Sequence, residues 1–219
     1  MKTASRLAAM FLGLVLLAAC GGGGGGTPAP AEPATPTAPP TEAVDPNLVV
    51  IEAGEDFQTR LIEALIGAQE GHIIELPEGE FTLDTALGLD VNNVTLRGQG
   101  QDKTILNFSA QTSGGESLRV TSNNILLEDF AVVDPPSDGI KAKFSNGITM
   151  RRVRVEWTCG PCEENGAYGL YPVQTENVLI EDSIVIGASD AGVYVGQSDK
   201  IIVRRNTVNY NVAGIEIEN

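Results

Sequence analysis

Basic residues are scarce in this chain. Its 219 residues include 14 Lys+Arg against 29 Asp+Glu, a net charge of −15. Such a balance lacks the basic patches that hold a phosphate backbone, and so excludes a nucleic-acid partner. Aromatic residues are only 5%, so aliphatic side chains must fill the core. There is one histidine, His72, and there are three cysteines. The apolar run at the N-terminus, Leu7 to Leu17, is short of the roughly 20 residues that a membrane-spanning helix needs. What the chain does have is 42% hydrophobic residues, enough to bury a core and too many for disorder throughout.

Residues 1–19 open with Lys2 and Arg6, continue through the apolar run and end on Ala18 and Ala19, the layout of a secretory signal peptide. Leu17-Ala18-Ala19-Cys20 resembles the lipobox of bacterial lipoproteins. The resemblance implies that Cys20 is acylated and becomes the mature N-terminus. An ordinary signal with an incidental cysteine is the alternative. Each buried CH₂ contributes about 0.8 kcal/mol, so several acyl chains anchor firmly where one does not. Gly21 follows the cysteine in place of the Asp that retains many such proteins at the inner membrane. The expected address is therefore the cell envelope, with a lipid anchor in the outer membrane as the sole membrane contact and the domain on its periplasmic or cell-surface side.

Residues 20–46 hold six consecutive glycines and seven of the twelve prolines, with almost no large apolar residue. Such a stretch cannot bury enough surface to fold, and reads as a disordered tether. Without residues 1–19 the chain keeps 12 basic against 29 acidic residues, a charge of −17.

From Asn47 onward, aliphatic and polar residues alternate with an internal period. Val94, Ile125, Ile148, Val178 and Ile201 recur at steps of 31, 23, 30 and 23. A second register runs through Leu118, Ile140, Leu170, Val193 and Ile215 at steps of 22, 30, 23 and 22. The basic repeat is about 23 residues with two loop insertions, and it leaves no room for a crossover helix. A β-sandwich has short strands but needs no fixed aliphatic columns. A parallel β-helix needs them, because each coil stacks its inward residues on the last.

Ahead of the coils, Phe57, Leu61, Ile62, Leu65 and Ile66 fall at helical spacing within residues 56–69, and Gly71 is the expected stop. An amphipathic helix here would cover the open end of the stack. Ile73 to Leu83 then reads as strand, Pro-x-Gly turn, strand. This helix with its Leu-Pro-x-Gly-x-Phe turn resembles the N-terminal start of pectin-lyase-like right-handed β-helix proteins. The later coils are similar to carbohydrate-binding and sugar-hydrolase repeats. The resemblance covers residues 47–219 and implies an all-β, right-handed parallel β-helix (a solenoid) with a short N-terminal capping helix. Its parts are a cap at 47–90 and coils at 91–219. Gly214 to Asn219 stops in mid-coil, so further coils are expected beyond the last residue.

In the second register the residue after each inward aliphatic points outward, giving the column Arg119, Lys141, Tyr171, Tyr194, Glu216. Equivalent positions lie about 4.8 Å apart on consecutive coils. Tyr171 and Tyr194 with Lys141 and Glu216 at their ends would suit a sugar ring, which stacks on aromatics and hydrogen-bonds through its hydroxyls. A stabilising ladder of tyrosines is the other reading. The loops before this column bring Asp134, Asp138, Trp157, Glu163, Glu164, Tyr168 and Asp190 to the same edge. These carboxylates form either a solvated acidic rim, a Ca²⁺ site or acid/base pairs for sugar chemistry. No other cofactor is expected.

Uronate epimerases of this fold carry an Asp-Pro-His-Asp motif. Here Asp134-Pro135-Pro136-Ser137-Asp138 lacks the histidine, and His72 is far away in sequence. Cys159-Gly160-Pro161-Cys162 resembles a thioredoxin motif, but Thr158 follows the tryptophan and Gly166 and Gly169 preclude the helix that should come next. A local loop disulfide is expected, with a redox role and a metal site as alternatives. The sequence thus points to binding of carbohydrate or another extended polymer. A lyase, epimerase or hydrolase acting on polysaccharide is the alternative, and a structural or protein-docking module is a third.

Overall fold

A computed structural model describes residues 45–218. The expected signal peptide at 1–19, Cys20 and all but the last two residues of the expected tether lie outside these residues.

The first turn of chain gives strand β1 (Leu48–Val50), helix α1 (Phe57–Ile66), β2 (Ile73–Glu75), β3 (Gly79–Thr82) and β4 (Leu87–Leu89). The coils follow with β5 (Thr95–Arg97), β6 (Thr104–Asn107), β7 (Glu116–Val120), β8 (Ile125–Val133), β9 (Asp138–Lys143) and β10 (Asn146–Glu156). The last are β11 (Leu170–Val173), β12 (Glu176–Glu181), β13 (Ile184–Ile186), β14 (Ala191–Gly196), β15 (Asp199–Arg204), β16 (Thr207–Asn209) and β17 (Ala213–Glu218).

Strands one period apart pair in parallel. One sheet runs β4-β7-β9-β11-β14-β17. The other runs β1-β2-β5-β8-β10-β12-β15, with β3, β6, β13 and β16 forming a second limb through β8 and β10. The two limbs meet where β8 and β10 bend at Asp129 (φ 63°) and Arg152 (φ 48°), and Asp182 and Arg205 take the same left-handed conformation at the equivalent corner. The opposite corner of that limb is left-handed at Asn93, Asn124, Gly147, Asn177 and Lys200. Asn124 and Asn177 each donate a side-chain amide to the asparagine one coil before, Asn93 and Asn146 respectively. Polar residues that tolerate positive φ thus mark the bends, coil after coil.

Both aliphatic columns stand in register. Leu118, Ile140, Leu170, Val193 and Ile215 are ladder partners in turn. The first four are fully buried, each worth about 1.5–3 kcal/mol of apolar transfer. The glycines before them are spaces. A Cβ on Gly169 would stand 2.3 Å from Val185 Cγ1 and 2.7 Å from the Gly192 carbonyl, so the coil can close only on a bare Cα.

Helix α1 packs Phe57, Leu61 and Leu65 onto the first coil's core, with Phe57 stacked on Phe81 at 3.8 Å. It ends at Gly67 rather than at Gly71, where a hydrogen bond to the Glu63 carbonyl closes the last turn. Ile66, the last helical residue, lies off the buried stripe of Phe57, Leu61 and Leu65 and is exposed. Outside the core, Glu75, Arg97, Glu128, Arg151, Glu181 and Arg204 form one ladder column of strictly alternating sign. Glu181 accepts from Arg151, Arg204 and Arg205. These guanidinium hydrogen bonds, Arg204's first, hold its carboxyl below the ordinary range.

Candidate ligand-binding face

The outer face of the β4-β7-β9-β11-β14-β17 sheet carries the expected column. Arg119, Lys141 and Tyr171 are ladder partners, as are Tyr194 and Glu216. Between β11 and β14 the ladder pairs Leu170 with Val193 and Val173 with Gly196, skipping Tyr171 and Pro172. Proline has no N–H to give, so the sheet is interrupted beneath the tyrosines.

The long insertion, residues 157–169, decides what this face looks like. It starts inside the fold: Trp157 is 3% exposed, and its Nε1–H donates to the Pro135 carbonyl at 2.7 Å. Trp157, expected among the ligand-binding residues, instead has its indole buried in the core beneath the loop. Thr158 is held by Asp134 through its backbone N–H (2.7 Å) and its hydroxyl. Cys159 and Cys162 are bridged, with their Cα atoms 6.0 Å apart. Asn165 then ties the loop to the Gly160 and Gly187 carbonyls at 2.6 and 2.7 Å. Gly166 lies hard against Ser137, and the Tyr168 carbonyl accepts from Gly139 N–H at 2.8 Å.

The loop lays Tyr168 across the column. Its ring stacks on Tyr194 (4.4 Å, 27°) and tilts against Tyr171 at 4.7 Å. Tyr171 and Tyr194 meet edge to face at 79°. The expected flat pair is thus corrected on two counts: the rings are crossed, and Tyr194 is only 9% exposed. Tyr194 also donates its hydroxyl to Glu218, which raises its pKa with a smaller contribution from burial. The aromatic surface left to a ligand is Tyr168 and Tyr171, both half-buried.

A charged pair borders these rings. Lys141 Nζ sits 4.5 Å over the Tyr171 ring and 3.1 Å from Asp138 Oδ2. Burial pushes the Asp138 carboxyl above its ordinary range, against the opposing pull of Lys141 and with a further push from Glu116. Burial likewise raises the Tyr168 phenol, helped by the charge and hydrogen bond of Asp190. Asp138, Lys141, Tyr168, Tyr171 and Asp190 thereby form one connected cluster, with Tyr194 beneath it and Glu216 one rung beyond. Glu163 is not among them. It lines a separate cleft of about 240 Å³ with Pro161, Ala188, Tyr210 and Val212. Among the described residues, no three His, Cys, Asp or Glu side chains converge to hold a metal ion.

No curated protein shows a significant sequence match. The chain is similar to an alginate lyase from Paenibacillus sp. str. FPU-7, with 16% identity and TM-score 0.49 over 74% of each chain. It is also similar to the catalytic domain of a GH87 α-1,3-glucanase, with 15% identity and TM-score 0.48 over 84% of this chain and 40% of that one. A pectin methylesterase, PemA from Erwinia chrysanthemi, is similar at 10% identity and TM-score 0.34 over 73% of this chain and 66% of the other. Residues 89–219 match the family model described as right handed beta helix region, and with the stacked parallel coils and their buried columns this chain belongs to that family.

Proposed function

We propose that the face built by Asp138, Lys141, Tyr168 and Tyr171 binds carbohydrate, and that it does so in a lipid-anchored protein of the cell envelope. The observation that carries this reading is the loop-built cluster itself. Two half-buried phenol rings offer apolar faces to the C–H side of a sugar. An immobilised carboxylate–ammonium pair beside them offers acceptors and donors to its hydroxyls. The lipid anchor rests on the lipobox-like sequence that ends at Cys20.

The test is a glycan panel, with and without Ca²⁺, in which both retention and product formation are followed. Retention that falls at least fivefold in Tyr171→Ala, with no products, is the expected result. Binding unaffected by that change refutes the face. For the anchor, Cys20→Ser is expected to move the protein from the membrane to the soluble fraction. An unchanged membrane fraction refutes it.

A second reading has one observation in its favour. A carboxyl held above its ordinary range beside a lysine and a tyrosine, as at Asp138, is the kind of group that can give up a proton to a leaving oxygen. New reducing ends or unsaturated uronates, lost in Asp138→Asn, would make the protein a polysaccharide-modifying enzyme.

A further inference from the structure

The corner that leads from the β17-to-β4 sheet into the other sheet changes along the stack. In one coil it runs from Val120 to Ile125; in the next three it runs from Ala142 to Ile148, from Pro172 to Val178 and from Val195 to Ile201, each one residue longer than the first. The turn begins with Phe144, Gln174 and Gln197, all in the left-handed region at φ 56°, 52° and 40°. They stand in line. Each donates its backbone N–H to the next coil, to Val173, Gly196 and Glu218 respectively. Together with Asn146, Glu176 and Asp199 they border a groove of about 480 Å³, floored by Ser145 and Thr175.

Three features separate this line from an ordinary structural ladder. At the neighbouring corner the stacked asparagines spend their amides on one another. Here Gln174 and Gln197 are exposed, and among the described residues neither side-chain amide makes a hydrogen bond. Phe144 is 64% exposed with the Lys143 ammonium 4.6 Å from its ring. A bulky side chain in the left-handed region is backbone strain, and no core contact repays it.

We infer that this groove is a second carbohydrate site, for a neutral glycan chain lying along the stack axis. The inference rests on the reading of the protein as a glycan binder. Successive coils are spaced by about 4.8 Å, about the advance of one sugar in an extended chain. One sugar stacks on Phe144, and the next two meet the free amides of Gln174 and Gln197, which donate and accept at once. The charge at the groove selects against polyanions. Lys200 is committed to Glu176 and Lys143 lies over Phe144, while Asp199 faces the same groove. No surplus of positive charge is left for a uronate chain.

The experiment is an NMR and calorimetric titration of the full chain. The ligands are cello-, laminari- and malto-oligosaccharides of two to six sugars, and oligogalacturonates of the same lengths. The variants are Phe144→Ala, Phe144→Asn, the double change Gln174→Ala/Gln197→Ala, and Tyr171→Ala. At least one neutral series is expected to shift the side-chain amide signals of Gln174 and Gln197 and to gain affinity with length. Phe144→Ala and the double change should each cost that series about five- to tenfold, in line with one lost aromatic stack. Phe144→Asn suits the left-handed backbone, so it should lose binding equally while melting no lower than wild type. Binding that is lost in Tyr171→Ala with both amides silent overturns the groove and leaves the tyrosine face standing. Amide shifts with Tyr171→Ala behaving as wild type keep the groove and overturn the face. Shifts from the galacturonates alone overturn the neutral class, and silence from every glycan overturns both sites.

Discussion

Gly166→Ala tests how the insertion places the tyrosines. A Cβ there would stand 1.7 Å from the Ser137 carbonyl oxygen, 2.3 Å from its carbon and 2.9 Å from its Cα. All three atoms are backbone, so no rotamer relieves the contact, and loop and strand must part by more than an ångström. Overpacking of this kind costs about 1–3 kcal/mol. In a domain of this size each kcal/mol lowers Tm by about 2–4 °C, so the melt should fall by about 2–12 °C. The loop is pinned on both flanks, by Asn165 on Gly187 and by Ser189 and Asp190 N–H on the Gly166 and Ala167 carbonyls. The displacement must therefore pass to Tyr168 and loosen its stack on Tyr194. Thermal melts give the first readout, and near-UV circular dichroism of the tyrosines with glycan affinity gives the second. Gly115→Ala is the control, since nothing lies within 4 Å of a Cβ there. Removing a glycine from the unfolded chain favours the fold by about 0.4–1 kcal/mol, so the control should hold or gain stability. A Gly166→Ala protein with wild-type melting and an unchanged near-UV signal would refute this account of the loop.

Glu181→Gln should lower Tm at pH 7. Because the Glu181 pKa is depressed below 4.5, its contribution is present above that value and disappears as pH falls through the folded pKa, so the two melting curves should converge in acid. Asp138 has the opposite sign. Its pKa is raised above 3.8, so the folded protein holds the proton more tightly than the unfolded chain and loses stability as pH rises through the folded value. Asp138→Asn should remove that slope in a pH series of melts. Trp157→Ala should cost about 3–5 kcal/mol as a core truncation, measured by denaturant unfolding, whereas Tyr171→Ala, which removes a half-buried ring in contact with Tyr168 and Tyr194, should cost less, about 1–3 kcal/mol, and lower glycan affinity as well. Replacing Cys159 and Cys162 by serine should shift Tm only slightly, since the bridge closes so short a loop, and thiol titration of the oxidised protein should find neither sulfur free.

Periodicity made the coils legible. The aliphatic columns and the outward column from Arg119 to Glu216 follow from a repeat whose phase fixes inside and outside at every position, and the N-terminal strand pair from the Pro-x-Gly turn between its two apolar runs. The insertion obeys no such phase. Trp157 follows directly on the strand and continues inward, which its place beside a loop cysteine conceals. Tyr168 reaches the column because Gly166 permits close approach to Ser137, a contact between segments with no shared period. Stacking Tyr171 on Tyr194 face to face presumes an unbroken ladder, and Pro172 breaks it. The alternating charges on the other sheet were present in the repeat but acquire meaning only once the strands are laid in register. Phe144, Gln174 and Gln197 left a fainter trace, one extra residue per turn, that emerges only when both aliphatic columns are counted against each other.

The alternation from Glu75 to Arg204 gives the solenoid a parity. Excising one coil would set Arg97 opposite Arg151, or Glu128 opposite Glu181, and like charges directly across a ladder are destabilising. Excising two restores every carboxylate to a guanidinium. Versions of this stack that are shortened or extended should therefore tolerate even changes in coil number and resist odd ones, which makes the coil pair the unit by which such a protein changes length.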